Sequence, residues 1–178
     1  MDRALLEQRL RELPIVQYEF FSTDQLVFSE KVRYICETEC PQFGTTWACP
    51  PAVGSVESCR ERCLRYPDAL LLVTMTEVED LSNMPALLAT RATHEEITRT
   101  VHGLLREQGI EPYVLSTESC EICEHCAYPD APCRRPEVMY PCVESQGILV
   151  SDLAERFGID FMAAGNLVTW FSLLLYKE

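Results

Sequence analysis

The chain has 178 residues, 47% of them hydrophobic, and a formal charge of −13 from 28 acidic against 15 basic side chains. That length buries one substantial core and leaves little for a second, so residues 1–178 are expected to form a single domain. The acidic excess argues against a nucleic-acid partner, whose phosphates reward clustered Lys and Arg, and its ordinary role is solubility.

The first residues, Met-Asp-Arg-Ala-Leu-Leu-Glu-Gln-Arg-Leu, alternate charge with apolar side chains and lack the apolar core of a secretory signal. A cytoplasmic location, where thiols stay reduced, is the expectation. Leu5, Leu6 and Leu10 then recur at helical spacing until Pro14, which predicts a helix over 3–12. Val16, Tyr18 and Phe20 alternate with polar neighbours as a strand with one wetter face.

Ser55 suits the N-cap of a helix running to Tyr66, with Pro67 beyond its end. Residues 69–75 lack polar alternation until Thr74 and read as a strand covered on both faces. After a loop over 80–85, the stripe Ile97, Val101, Leu104 and Leu105 marks a long helix at 87–108 that Gly109 stops. A short strand at 112–115 follows. Beyond the cysteine-rich region, Val150, Leu153 and Phe157 mark a helix ending at Gly158, and Leu167 to Tyr176 forms a closing strand. The apolar run 161–176 is interrupted by Gly165, Asn166, Thr169 and Ser172, and it falls short of the ~20 residues that cross a bilayer. The fold expected is α/β, a single sandwich domain around a mixed sheet of about four strands with an irregular cysteine-rich region.

Ten cysteines exceed what packing needs in a domain too large to require disulfide staples. The most specific pattern is Cys120-x2-Cys123-x2-Cys126-x6-Cys133, followed by Arg134, Arg135 and Pro136. Steps of three on a tight loop let thiolates wrap several corners of a cuboidal iron–sulfur cluster. The bacterial ferredoxin run has a shorter last spacing, so related chemistry is implied rather than that fold. Zinc is the runner-up, because four thiolates also suit a tetrahedral ion, although zinc ribbons usually present two separated C-x2-C pairs. His125 lies inside this loop, where a solvent-facing role is the more ordinary one.

A second constellation joins Cys36-x3-Cys40-Pro41 to Cys49-Pro50-Pro51, with Phe43, Gly44 and Trp47 between. Its prolines are expected to keep the segment out of regular helix, making a stiff metal-binding loop. Phe43 and Trp47 either shield that site from water or simply pack in the core. Cys59 and Cys63 share one face of the 55–66 helix and read mainly as packing residues. Cys142, after Pro141, is the leading candidate for a fourth ligand to the first motif.

These motifs resemble a known family, the cysteine-rich predicted metal-binding proteins frequent in anaerobic bacteria and methanogenic archaea. The resemblance runs through Val32 to Cys36, Cys40, Phe43 to Pro51, the second cysteine motif with Arg134, Arg135 and Pro136, and Pro141 to Ile148 with Glu144 and Gly147. It implies metal binding by seven cysteines and no established reaction. The chain departs from that pattern at Cys142, where a small hydroxyl residue is more usual, and at Cys59 and Cys63, which look like additions.

Three functions follow as expectations. The first is an accessory electron-transfer protein with one or two clusters of the 4Fe-4S type and a redox partner protein; no G-x-G-x-x-G or G-x-x-x-x-G-K nucleotide motif occurs. The second is an enzyme with an open iron that handles sulfur or a thiol, for which Glu144, His94 and His102 are the nominees for proton transfer. The third is a zinc-stabilised interaction module.

Overall fold

Two strands without polar alternation organise the molecule. The structure, a computed structural model, describes residues 1–80, 82–159 and 165–178. In chain order its elements are α1 (Arg3–Leu10), β1 (Gln17–Ser22), α2 (Glu30–Glu39), α3 (Val56–Cys63), β2 (Asp68–Glu77), α4 (Met84–Glu107), β3 (Tyr113–Leu115), α5 (Val150–Arg156) and β4 (Leu167–Tyr176). Short 3-10 turns occupy Thr23–Gln25 and Glu144–Gln146. Leu81 in the expected 80–85 loop, and residues 161–164 at the start of the apolar run, lie outside the described residues.

The four strands form one sheet in the order β1-β2-β4-β3. All three ladders are antiparallel, and among the described residues parallel pairing is confined to an isolated bridge between Ser116 and Cys142. The α/β sandwich and its four strands are therefore as expected, but the sheet expected to be mixed is antiparallel, the parallel bridge lying outside its strands. From β1 to β2 and from β3 to β4 the chain re-enters at the end of the sheet where the previous strand stopped, whereas α4 carries it back along the sheet so that β3 runs in the direction of β2, with β4 antiparallel between them.

Leu70 and Leu72 of β2 join Leu174 of β4 beneath α1 and α4, against Leu6, Leu10, Ile97, Val101 and Leu105. On the opposite face Leu71, Val73, Leu173 and Leu175 pack with Cys63 of α3 and Leu153 of α5. Burial on both faces explains why these strands read as continuous apolar runs. Polar ties fix α4 to the sheet: buried Thr98 bonds Ser172 at 2.9 Å, and Trp170 Nε1 donates to Thr90 at 2.9 Å. Among the described residues, no helix is long and apolar enough to cross a membrane.

Several boundaries moved for local reasons. Asn83 caps α4 through its side chain and Pro85 sits in the first turn, so the helix begins before Leu87. Ser55 caps α3 as expected, accepting from Ser58 N at 3.2 Å. The larger correction is α2, a helix the prolines had argued against. Ser29 caps its start, and Cys36 sits in its last turns; Cys40 is the C-cap, so Pro41 ends the helix without occupying it.

α2 is secured by a buried arginine. Arg33 Nη1 donates to the Gly54 carbonyl at 2.7 Å and Nη2 to the Ser145 carbonyl at 2.9 Å. Its guanidinium thus ties α2 to the end of the first cysteine segment and to the 3-10 turn after Cys142. Gly147 completes the junction: its φ is +80°, and a Cβ there would lie 2.8 Å from Val56. Ser29 N donates to the Gly147 carbonyl at 2.8 Å.

Arg33→Met keeps the aliphatic stem and removes two charge-assisted hydrogen bonds, leaving two carbonyls short of a donor. It is expected to cost roughly 3 kcal/mol in denaturant unfolding of the metal-free protein. His94 supplies a second test. Fully buried, with Nδ1 2.8 Å from the Thr74 hydroxyl, it has its pKa lowered by desolvation from 6.5 to about 4. The unfolded chain takes up that proton first, so the stabilisation is whole above the unfolded value and is lost as pH falls toward the folded one. The loss should reach roughly 3 kcal/mol, and His94→Gln should lack this component of the pH profile.

Candidate metal centre

The two cysteine motifs leave the sheet on separate excursions and meet beside its β3 edge. The first lies between α2 and α3, the second between β3 and α5. All ten cysteines are free thiols. Eight of them gather in two sets of four.

In the first set, Cys36, Cys40, Cys49 and Cys142 line one cavity of about 240 Å³, together with Glu118 and Glu144. The end of α2 presents Cys36 and Cys40. A tight loop presents Cys49; it is closed by Gly44 N donating to the Pro50 carbonyl at 2.8 Å, and Gly44 adopts φ +71°. Cys142 arrives through the Ser116 bridge, with Val143 N donating to the Ser116 carbonyl at 2.9 Å. The position that sequence proximity suggested for Cys142 thus has a backbone cause. Ile35 and Phe43 form the apolar part of the wall.

Cys49 has its pKa lowered to about 6 by a hydrogen bond from Cys142, with the Ser119 and Thr46 hydroxyls adding to the effect. Cys142 is raised well above its ordinary value by donating that bond and by burial. Burial, with Cys40 nearby, also raises Cys36, and desolvation raises the Glu144 carboxyl. The cavity therefore offers one thiolate-prone sulfur, three further thiols and two carboxyl groups.

In the second set, Cys120, Cys123, Cys126 and Cys133 surround a much smaller space of about 20 Å³, room for roughly one water, under Trp47 and Met139. The segment carrying these cysteines has little regular structure and is largely exposed. Its order comes from outside. Arg91, Glu95, Arg99 and His102 form a stripe along α4 that faces it. Arg91, itself buried, donates to the carbonyls of Ser119 and, at 3.4 Å, Thr117, and pairs with Glu121 at 2.5 Å. Glu95 accepts from the Ser116 hydroxyl, Arg99 donates to the Val138 carbonyl at 3.0 Å, and His102 bonds Tyr140 at 2.6 Å.

Other candidates fall elsewhere. Phe43 does wall the first cavity, but Trp47 covers the second, its Nε1 donating to the Ala131 carbonyl at 3.0 Å and its ring meeting Tyr128 edge-on. Cys59 bonds the Val53 carbonyl at 3.4 Å, while Cys63 packs in the core, its pKa pushed up to about 12 by burial; neither lines a cysteine cavity. His94 is bound into the sheet; His102 bonds Tyr140 and lines a separate cleft that Cys133 also reaches, while Glu144 lines the first cysteine cavity itself. His125 is exposed and its carbonyl accepts from Arg134 at 2.8 Å.

Glu118, Ser119 and Arg91 carry no motif and were not singled out from sequence. The α4 stripe at 91, 95, 99 and 102 was the available signal, since it is polar on a face turned toward the protein.

Four sulfurs in each set match in number and softness the ligands that an iron–sulfur cluster or a zinc ion takes. Among the described residues, no three His, Cys, Asp or Glu side chains are already arranged to hold one ion. Binding therefore requires the thiols either to spread over a larger group or to draw inward.

No curated protein and no solved structure matches the chain. One family model does, covering residues 19–176 and so both cysteine motifs and all four strands except the start of β1. The chain belongs to that family, described as Predicted metal-binding protein (DUF2284).

Proposed function

We propose that this chain is an iron–sulfur protein that passes single electrons, with Cys36, Cys40, Cys49 and Cys142 holding one 4Fe-4S cluster and Cys120, Cys123, Cys126 and Cys133 a second. The observation that carries this reading is the segregation of eight thiols into two sets of four that meet at one backbone step, since Ser119 touches Cys49 and the next residue is Cys120. Iron–sulfur clusters supply reversible one-electron chemistry. The electron would come from a reduced one-electron donor protein and leave to an oxidised acceptor protein, so the chain itself returns to its starting state.

The chain's own contribution is to hold and insulate. Arg33 and the Cys142 bridge fix the first set, and Ile35 and Phe43 keep water from one wall. Arg91 fixes the approach to the second, with Trp47 and Met139 as its cover. A second reading draws on Glu118 and Glu144 in the first cavity. If Cys142 is not a ligand, these carboxyls flank an open position and the site suits sulfur or thiol chemistry.

Anaerobically purified protein is expected to be brown and to carry about eight iron and eight sulfide per chain if both sites fill, bleaching in air. A colourless protein with stoichiometric zinc overturns the proposal. Cys123→Ala and Cys126→Ala should each lose one cluster's iron. Cys142→Ser should lose or spectrally alter the other cluster. Cys59→Ala and Cys63→Ala should keep full iron and lose only stability, about 1 kcal/mol for such small buried side chains. Unchanged iron and electron paramagnetic resonance in Cys142→Ser would favour the open-site reading.

A further inference from the structure

Ser119 occupies the single step of chain shared by the two cysteine sets. Its neighbours diverge: Glu118 lines the first cavity and Cys120 the second. The divergence is built into the backbone, because Glu118 adopts φ +55°, the left-handed region that side chains other than Gly seldom occupy. Ser119 is buried and held from two directions. Arg91 donates to its carbonyl, and its hydroxyl lies 3.0 Å from Thr46 Oγ1 and 3.3 Å from Cys49 Sγ.

As a free thiol, Cys49 donates to Ser119 Oγ. A sulfur bound to metal carries no proton and only accepts, so the same contact then runs the other way: Thr46 donates to Ser119 and Ser119 donates to Cys49. The chain of hydroxyls becomes polarised toward the sulfur, and each bond strengthens the next. Reduction of a cluster adds negative charge that its sulfurs share, and a donor aimed at one of them stabilises the reduced form.

We infer that Ser119 is a positioning residue that raises the reduction potential of the site containing Cys49, through a hydrogen bond oriented by Thr46, while its peptide carries Cys120 to the neighbouring site. The inference rests on the iron–sulfur reading above. It makes the two sites unequal in potential by design of one hydroxyl, so that the Cys49 site is the easier to reduce than it would be with an apolar residue at 119. Arg91 keeps the peptide in place when the side chain changes, which separates the hydroxyl's effect from the position of Cys120.

The test is a potentiometric titration of the anaerobic holoprotein followed by electron paramagnetic resonance, on wild type, Ser119→Ala, Ser119→Thr and Thr46→Val. Ser119→Ala should keep wild-type iron and sulfide and lower the potential of one cluster while the other stays put. Ser119→Thr should restore it, and Thr46→Val should give a smaller shift of the same sign. Wild-type potentials in Ser119→Ala overturn the inference. Loss of iron from Ser119→Ala together with wild-type potentials in Thr46→Val also overturns it, by making the residue purely structural. Absence of iron from the wild type sinks the function itself, and that result is visible before any variant is made.

Discussion

The position of the second cysteine segment depends on one buried guanidinium. Between β3 and the turn at Glu144–Gln146 the chain holds no helix or strand, and its isolated bridge, Ser116 to Cys142, joins the two ends of the segment to each other. A segment that irregular has no hydrophobic periodicity to order it. Arg91 substitutes for a sheet ladder by gathering the Thr117 and Ser119 carbonyls and the Glu121 carboxylate onto α4. A planar fork with five donors suits this task, and Lys could not satisfy the same acceptors. Further along the helix, Arg99 also lies over the Tyr140 ring, 4.5 Å from its centroid, so the far end of the segment is held by the same stripe.

Around that anchor the two motifs exchange residues. Trp47 belongs to the first motif and covers the second thiol set, while Cys142 follows the second motif and joins the first set. Ser119 binds Cys49 and Thr46 across the boundary. Each site is therefore incomplete without the other's segment, and the pair behaves as one construction with two cavities. Arg33 performs the matching task on the opposite side, where α2, the Gly54 turn and the Ser145 turn converge.

The sheet and its main helices were legible because burial on two faces, or on one helical stripe, leaves a periodic trace; β2, α4 and β4 are of that kind. The thiol groupings were legible as far as spacing carries them, through Cys120, Cys123, Cys126 and Cys133. The helix around Cys36 was not, because the prolines near it mark only its end, and the evidence for its start is the modest signal of Ser29. The side chosen by Trp47 was hidden for a deeper reason. Which cavity it covers depends on how two distant loops cross, and no local pattern records a crossing. Glu118, Ser119 and Arg91 were hidden similarly, since each is an ordinary polar residue until a partner far along the chain gives it work.

The separation of those partners constrains when the sites can exist. Cys49 and Ser119 lie 70 residues apart, Thr46 and Ser119 73, and Arg33 and Ser145 112. Contacts that distant cost loop-closure entropy before they return any stabilisation, so they form late in folding. During synthesis the first motif is made with three of the four thiols that line its cavity and with its own α2 and Gly44–Pro50 turn, but without Cys142, Ser119 or the Ser145 carbonyl that Arg33 binds. A metal met at that stage finds an incomplete and movable donor set. A complete first set of four sulfurs is thus a property of the finished chain, because Cys142 and the segment that carries Ser119 are made long after Cys49.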